Sequence, residues 1–432
     1  MPPTSEPSTA GLSQGARRYA LVVLAVVYMF NFVDRQILSI LLPAIRDEFQ
    51  VGDTILGLLT GTAFALFYVI LGIPIARLAD RVNRRNLIAL AVAVWSGMTA
   101  LSGFAANIWQ LTLARVGVGI GEAGCSPPAH SMIADYYPPE QRSSAMGFYT
   151  LGISAGIMLA YLAGGWVAQN IGWRAAFLIV GVPGLLLAFI VRFTIREPER
   201  GASEQRRDSG EQPELMVVAR FLFSRRSFLY MSVAAGLSAF VGYAMINFLP
   251  SFIVRSFGMQ VAELGFWLGI IYGIAGGFGF FMGGFLADHL GRSGHRRALS
   301  FIGLAVFVTV FFNIAVFLST SAFWCLCLLV MPTVTSNVYL APVLSQTQSL
   351  VSLRMRAVAS SFVLLIINVI GLAMGPPVTG FISDALEPTL GVESMRYSLL
   401  IVSTVLLPLA AWCYFQAGKT IEDDLRRAGE HD

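Results

Sequence analysis

Twelve stretches of about twenty predominantly apolar residues follow one another along the chain. As a helix, a run of that length spans a hydrocarbon core of about 30 Å. Inside such a core every backbone N–H and C=O must be paired within the protein, which leaves helical bundles and closed barrels as the possible spanning folds. Runs this long exclude the short alternating strands of a barrel. The rest of the composition agrees. Only 12% of the 432 residues are charged and 56% are hydrophobic, about half the charge density of an ordinary soluble domain. A soluble globule, a disordered chain, a secreted disulfide scaffold and a nucleic-acid-binding protein are thereby excluded, and no nucleic acid partner is expected. Cys125, Cys325, Cys327 and Cys413 lie in apolar stretches without metal-ligand spacing, so neither a metal nor another cofactor is expected. The polar first 15 residues lack a signal-peptide pattern, so the first span is expected to direct insertion.

The hydropathy pattern places helices near 18–44, 54–76, 86–106, 109–136, 142–168 and 173–195, then 227–254, 261–287, 297–319, 321–347, 357–384 and 396–417. The expected fold is an all-α polytopic membrane protein of twelve helices in two six-helix bundles. Its divisions are a polar tail (1–17), a first bundle (18–195), a linker (196–226), a second bundle (227–417) and a C-terminal tail (418–432). Basic residues orient such a bundle, because short cytoplasmic loops retain Lys and Arg. With both termini and the linker cytoplasmic, 23 of the 29 basic residues fall on that side, against Arg46, Arg174, Arg255 and Arg396 opposite. The short tails and compact loops point to a bacterial inner membrane. Arg35 and Arg115 remain, both inside spans.

The two halves repeat one another. After helix 2 the chain reads Leu78-Ala79-Asp80-Arg81, with Arg84 and Arg85 following; after helix 8 it reads Leu286-Ala287-Asp288-His289, with Arg292 following. Asp80 and Asp288 are 208 positions apart, close to half the chain, and Arg142-Ser143-Ser144-Ala145 has an echo in Arg356-Ala357-Val358-Ala359. Such duplication suits a transporter. In a loop of this kind an Asp caps a helix end while Arg side chains reach carbonyls and carboxylates across the same face. Asp80, Arg81, Arg84, Arg85, Arg142, Asp288 and Arg292 are therefore expected to latch the halves in one state. A loop that merely anchors topology would carry the same basic residues.

These loops, with the six-plus-six layout, resemble the major facilitator superfamily, whose Gly-x-Leu-Ala-Asp-x-x-Gly-Arg pattern is matched by Gly284 to Arg292. The first copy departs from it at Ala76 and Asn83. Within that superfamily, Asn31-Phe32-Val33-Asp34-Arg35, Arg115-Val116-Gly117-Val118-Gly119-Ile120-Gly121-Glu122-Ala123 and Pro127-Pro128-Ala129 are similar to segments of the Spinster-like lysolipid and sphingolipid transporters. The resemblance implies alternating access and an amphipathic lipid cargo. It also implies that Asp34, Arg35, Arg115 and Glu122 carry the coupling.

The residues themselves point the same way. A charge near the bilayer centre costs at least about 2.5–3.5 kcal/mol, so these four need partners or a watered cavity. Arg115 and Glu122 are seven apart and share a helix face, whereas the adjacent Asp34 and Arg35 diverge by about 100°. A buried ion-pair network that only fixes helix 1 against helix 4 would satisfy them. Alternatively, burial favours a protonated carboxyl and a neighbouring guanidinium the charged one, and a group so balanced can exchange its proton as water access alternates. Asp34 is read as the proton carrier, Glu122 as a coupled second acid, and Arg35 and Arg115 as counter-charges to Asp34 that also meet the cargo's headgroup. Helices 7 to 12 hold no mid-span charge. Asn31 and His130 in the first half and Tyr243, Asn247, Tyr339 and Asn368 in the second are expected to line the cavity, although such polar groups also serve as interhelical hydrogen bonds. The expected partners are a small amphipathic molecule, protons and the bilayer, with the protein a monomer.

Rival readings are weaker. Gly117-Val118-Gly119-Ile120-Gly121 lacks the preceding strand of a nucleotide-binding loop. His130 and Asp135 have the His-x4-Asp spacing of membrane acyltransferases without any accompanying block. The chain is not expected to be an enzyme, and a proton-coupled drug or metabolite transporter is the main alternative to a lipid carrier. Pro127-Pro128, Pro332, Pro342 and Pro376-Pro377 are expected to bend or break helices 4, 10 and 11.

Overall fold

The computed structural model describes residues 13–79, 81–200, 215–291, 294–352 and 355–429, which form helices and turns without a strand among them. Helix 1 spans Gln14–Phe49, helix 2 53–79, helix 3 Arg84–Ser102, helix 4 108–136, helix 5 Pro139–Asn170 and helix 6 Trp173–Thr194. Helix 7 spans Arg226–Phe257, helix 8 261–291, helix 9 His295–Leu318, helix 10 322–349, helix 11 356–390 and helix 12 Ser394–Gly429. Length and hydropathy single out ten membrane-crossing candidates among the described residues; one of them, 358–427, contains helices 11 and 12. Helix 4 is interrupted at 123–125 and falls short as either piece. Twelve helices result.

Helix starts follow local chemistry. The side chains of Ser13, Asn83 and Asn107 accept from the N–H three residues on (Ala16, Asn86 and Gln110) at 3.2, 2.9 and 3.0 Å, as N-caps do. Helix breaks follow proline. A proline has no N–H for the carbonyl four residues earlier. Helix 4 opens just before Pro127-Pro128, helix 10 at 336–339 before Pro342, and helix 11 widens into a π-helical turn over Ile367–Ala373 before Pro376-Pro377.

Two differences from the hydropathy reading concern the ends of the second bundle. Helix 12 runs on to Gly429, because Ile421 is fully buried and Asp424 accepts from Ser227 N (2.8 Å) and Oγ (2.7 Å) at the start of helix 7. A short helix, Leu215–Phe223, precedes helix 7 and buries Val218 and Leu222.

The halves meet along two seams of small residues. Helix 8 turns Gly265, Gly269, Gly273 and Gly277 against Tyr161, Leu162, Met158 and Ser154 of helix 5, and helix 2 sets Gly57 and Gly61 on the backbone of helix 11 at Pro376 and Leu372. Without side chains in the way, backbones approach closely. Hydrogen bonds between the halves run from the face opposite the linker down to Thr62 Oγ1 donating to the Ala373 carbonyl (2.7 Å); among the described residues none lies nearer the linker. Among the described residues, the halves are thus bonded to each other on the face opposite the linker.

Candidate functional site

Helix 1 brings two charges to the same level and aims them apart. Asp34 turns toward helices 3 and 4, where Thr99 Oγ1 stands 2.5 Å from both carboxylate oxygens. Arg115 Nη1 donates to Asp34 Oδ1 at 3.3 Å and to the Asp34 carbonyl at 3.4 Å. Arg35, the next residue, pairs through Nε with Glu122 Oε2 at 2.5 Å. The seven-residue spacing on helix 4 gives one partner to each charge on helix 1. Sequence reasoning gave both arginines to Asp34; the structure divides them, since adjacent side chains on a helix cannot face the same partner.

Burial separates the four. Asp34, Arg115 and Glu122 are 1–2% exposed, whereas the Arg35 side chain keeps 16% of its surface. Its guanidinium lies 4.8 Å from the ring centres of Phe64 and Tyr68 on helix 2 and 5.4 Å from that of Phe32. A planar cation over aromatic faces is held by their quadrupoles as well as by its carboxylate. Arg115 Nε is buried with no hydrogen-bond partner among the described residues.

The other expected cavity residues have varied surroundings. Asn31 is buried beside Glu122, its side-chain oxygen and nitrogen without a hydrogen-bond partner among the described residues. Tyr243 of helix 7 faces Arg35 from the second half. Asn247 is an inter-half contact: its Oδ1 accepts from Ser39 Oγ at 3.0 Å and its amide donates to the Tyr243 carbonyl. Tyr339 is buried, and Asn368 donates to the Leu364 carbonyl within helix 11. His130 is exposed, its ring edge-on to Tyr149, which stacks on Tyr28. Thr99, Phe64 and Tyr68 went unread. A lone hydroxyl or aromatic inside a membrane helix carries no signal of its own.

Among the described residues, the hydrogen bonds of the linker-face arginines run to the first half and the start of the linker. Arg84, 1% exposed, donates to Glu197 (2.8 Å), Ser131 (2.8 Å), Asp135 and the Pro198 carbonyl, all in its own half or at the start of the linker. This also accounts for the His130–Asp135 segment, whose Ser131 and Asp135 are bound by Arg84. The Arg85 N–H donates to Glu197, Arg142 donates to the Ala134 carbonyl, and Arg81 is exposed. Asp80, Arg292 and the side chain of Asp288 lie outside the described residues.

The profile of the Major Facilitator Superfamily matches residues 24–376. An MFS-type efflux pump of Mycolicibacterium smegmatis is 32% identical over 410 residues, 94% of each chain. Human protein spinster homolog 1 is 34% identical over 257 residues, 57% of this chain and 47% of that one, so the chain spans about half the length of that relative. The crystal structure of a bacterial homolog to the human lysosomal transporter Spinster, in its inward-facing and unoccupied conformation, superposes with a TM-score of 0.88 at 33% identity, over 96% of this chain and 99% of that one.

Proposed function

This chain belongs to the Major Facilitator Superfamily, a family of transporters and not of enzymes, and from that premise we propose a proton-coupled carrier of amphipathic single-chain lipids such as lysophospholipids or sphingolipids. The linker face is read as cytoplasmic, on the excess of basic residues there, with both termini on that side of a bacterial inner membrane. The state described is then open to the cytoplasm.

One observation carries the reading. Of four charges in the bundle, only Arg35 reaches open space, on a bed of aromatic rings and opposite a half without mid-span charge. An anionic or zwitterionic head pairs with the guanidinium while an acyl chain lies on the uncharged wall. Such a head competes with Glu122 for Arg35. Asp34 is assigned the transported proton: once protonated it no longer neutralises Arg115, so the network rearranges when its water access changes. Similarity to spinster homologues agrees with the sequence resemblance from which the lipid cargo is drawn.

The relative that aligns over 94% of the chain is named an efflux pump, which favours a second reading, a proton-coupled exporter of drug-like or small-metabolite molecules. Competition binding on the purified protein separates the two. Displacement of a labelled lysophospholipid by other single-chain lipids is expected. Displacement by sugars, carboxylates or drug-like cations but not by single-chain lipids contradicts the lipid cargo.

A further inference from the structure

The face opposite the linker is held by two carboxylates that reach across the seam in opposite directions. Asp53, at the start of helix 2, is fully buried and takes both guanidinium nitrogens of Arg255 from helix 7, at 2.7 and 2.5 Å, and the Ser383 hydroxyl of helix 11 at 2.7 Å. Asp384, the next residue on helix 11, accepts in return from the backbone N–H groups of Asp53 and Thr54, at 2.7 and 2.8 Å, and from the Thr54 hydroxyl at 2.6 Å. These are the unpaired N–H groups of the helix 2 N-terminus, where a carboxylate is favoured. Arg46 of helix 1 closes the cluster, 3.6 Å from Asp53 and 2.6 Å from Glu387. Gly380 and Gly52 make the grip possible, since a Cβ at either would run into the Asp53 carbonyl or the Asp384 carboxylate.

We propose that Asp53 and Asp384 form a reciprocal clasp that holds this face shut and sets how often it opens during the transport cycle. The physical reason lies in what happens on opening. A buried ion pair is close to break-even against its desolvation, so it adds little absolute stability. When the seam parts, Asp53, Arg255 and Asp384 recover water, and the loss of the pair is offset. An apolar seam gains no such compensation. The clasp is thus easily reversed and specific to register. Neutralising Asp53 penalises only the closed state, where Arg255 stays buried, neutralising Asp384 leaves helix 2 N–H groups short of an acceptor there, and both leave the hydrated open state almost unchanged. Asp53 and Asp384 act through the position of the halves and not on the cargo. The inference uses alternating access alone and is independent of what is carried.

The test is the distance between halves on this face, in the full chain in lipid nanodiscs without any cargo. Spin labels at Ala106→Cys and Thr320→Cys, both exposed, report it once the exposed Cys327 is changed to Ser; the remaining cysteines are buried. The parent protein is expected to give mainly the short, closed distance. Asp53→Asn and Asp384→Asn are each expected to raise the ratio of long to short distance about tenfold or more, and adding Arg255→Gln to Asp53→Asn is expected to raise it no further. Arg255→Lys retains part of the closed population. Should the buried variants fold poorly, Glu387→Gln on the half-exposed rim gives the same shift in smaller size. Unchanged distance distributions in Glu387→Gln and in whichever of the two Asp variants fold overturn the clasp. Failure of the chain to bind lipid leaves it standing.

Discussion

Arg35 of helix 1 and Glu122 of helix 4 stand 87 positions apart in sequence and 2.5 Å apart in the fold. Of the two, only the arginine keeps exposed side-chain surface. The carboxylate behind it fixes the guanidinium edge-on, leaving its face to the rings of Phe64 and Tyr68. Replacing Arg35 by Ala is expected to weaken lysophospholipid binding at least tenfold, the size of a lost charge-assisted contact of about 1.5–3 kcal/mol. Arg35→Lys keeps the charge but not the planar stack and is expected to fall between. Equilibrium binding to purified protein measures both.

The contact between Tyr161 and helix 7 has a cause that a double variant exposes. Pro250 lacks an N–H, so the Ile246 carbonyl four residues earlier has no partner in its own helix. Tyr161 Oη on helix 5 donates to it across the two halves at 2.7 Å. Tyr161→Phe strands a part-buried carbonyl and is expected to destabilise the protein by about 1 kcal/mol or more. In a Pro250→Ala background the carbonyl recovers a helical donor, and the same Tyr161→Phe change is expected to cost clearly less. Thermal unfolding of the four proteins reads the difference.

Arg84 is a buried arginine with four partners. Truncation to Ala removes one cation from Glu197 and Asp135, which keep some exposed surface, so the cost is expected below the about 3–5 kcal/mol of breaking a fully buried pair. The expected outcome is a lower Tm with an unchanged lipid Kd, because its described hydrogen bonds run to helix 4 and the start of the linker and not to Arg35 or Arg115. A weakened Kd with an unchanged Tm contradicts this assignment.

Much of this was legible in the chain. Run length and the placement of arginine gave the twelve helices and their two halves, since a bilayer tolerates few charges and each one must be accounted for. The same scarcity singled out Asp34, Arg35, Arg115 and Glu122, and the fold joins them in two pairs. The proline pairs at Pro127 and Pro376 marked real breaks. What stayed illegible is what only packing decides. Which arginine serves which acid depends on the azimuth between helices 1 and 4. Asp53 and Asp384 read as ordinary acids near helix ends, because nothing local shows that residues 331 positions apart will share a seam. Asn247 looked like a cavity wall and is an inter-half bond to Ser39, a distinction set by how far helix 7 leans on helix 1.

The most direct test of the central claim is accumulation of a labelled lysophospholipid in proteoliposomes driven by an imposed pH gradient, compared with exchange at equal pH. The parent protein is expected to accumulate the lipid along the gradient. Asp34→Asn, which keeps the shape of the side chain and cannot carry a proton, is expected to lose gradient-driven accumulation while retaining exchange. Full gradient-driven accumulation by Asp34→Asn, or a parent protein that exchanges lipid but ignores the gradient, contradicts the account.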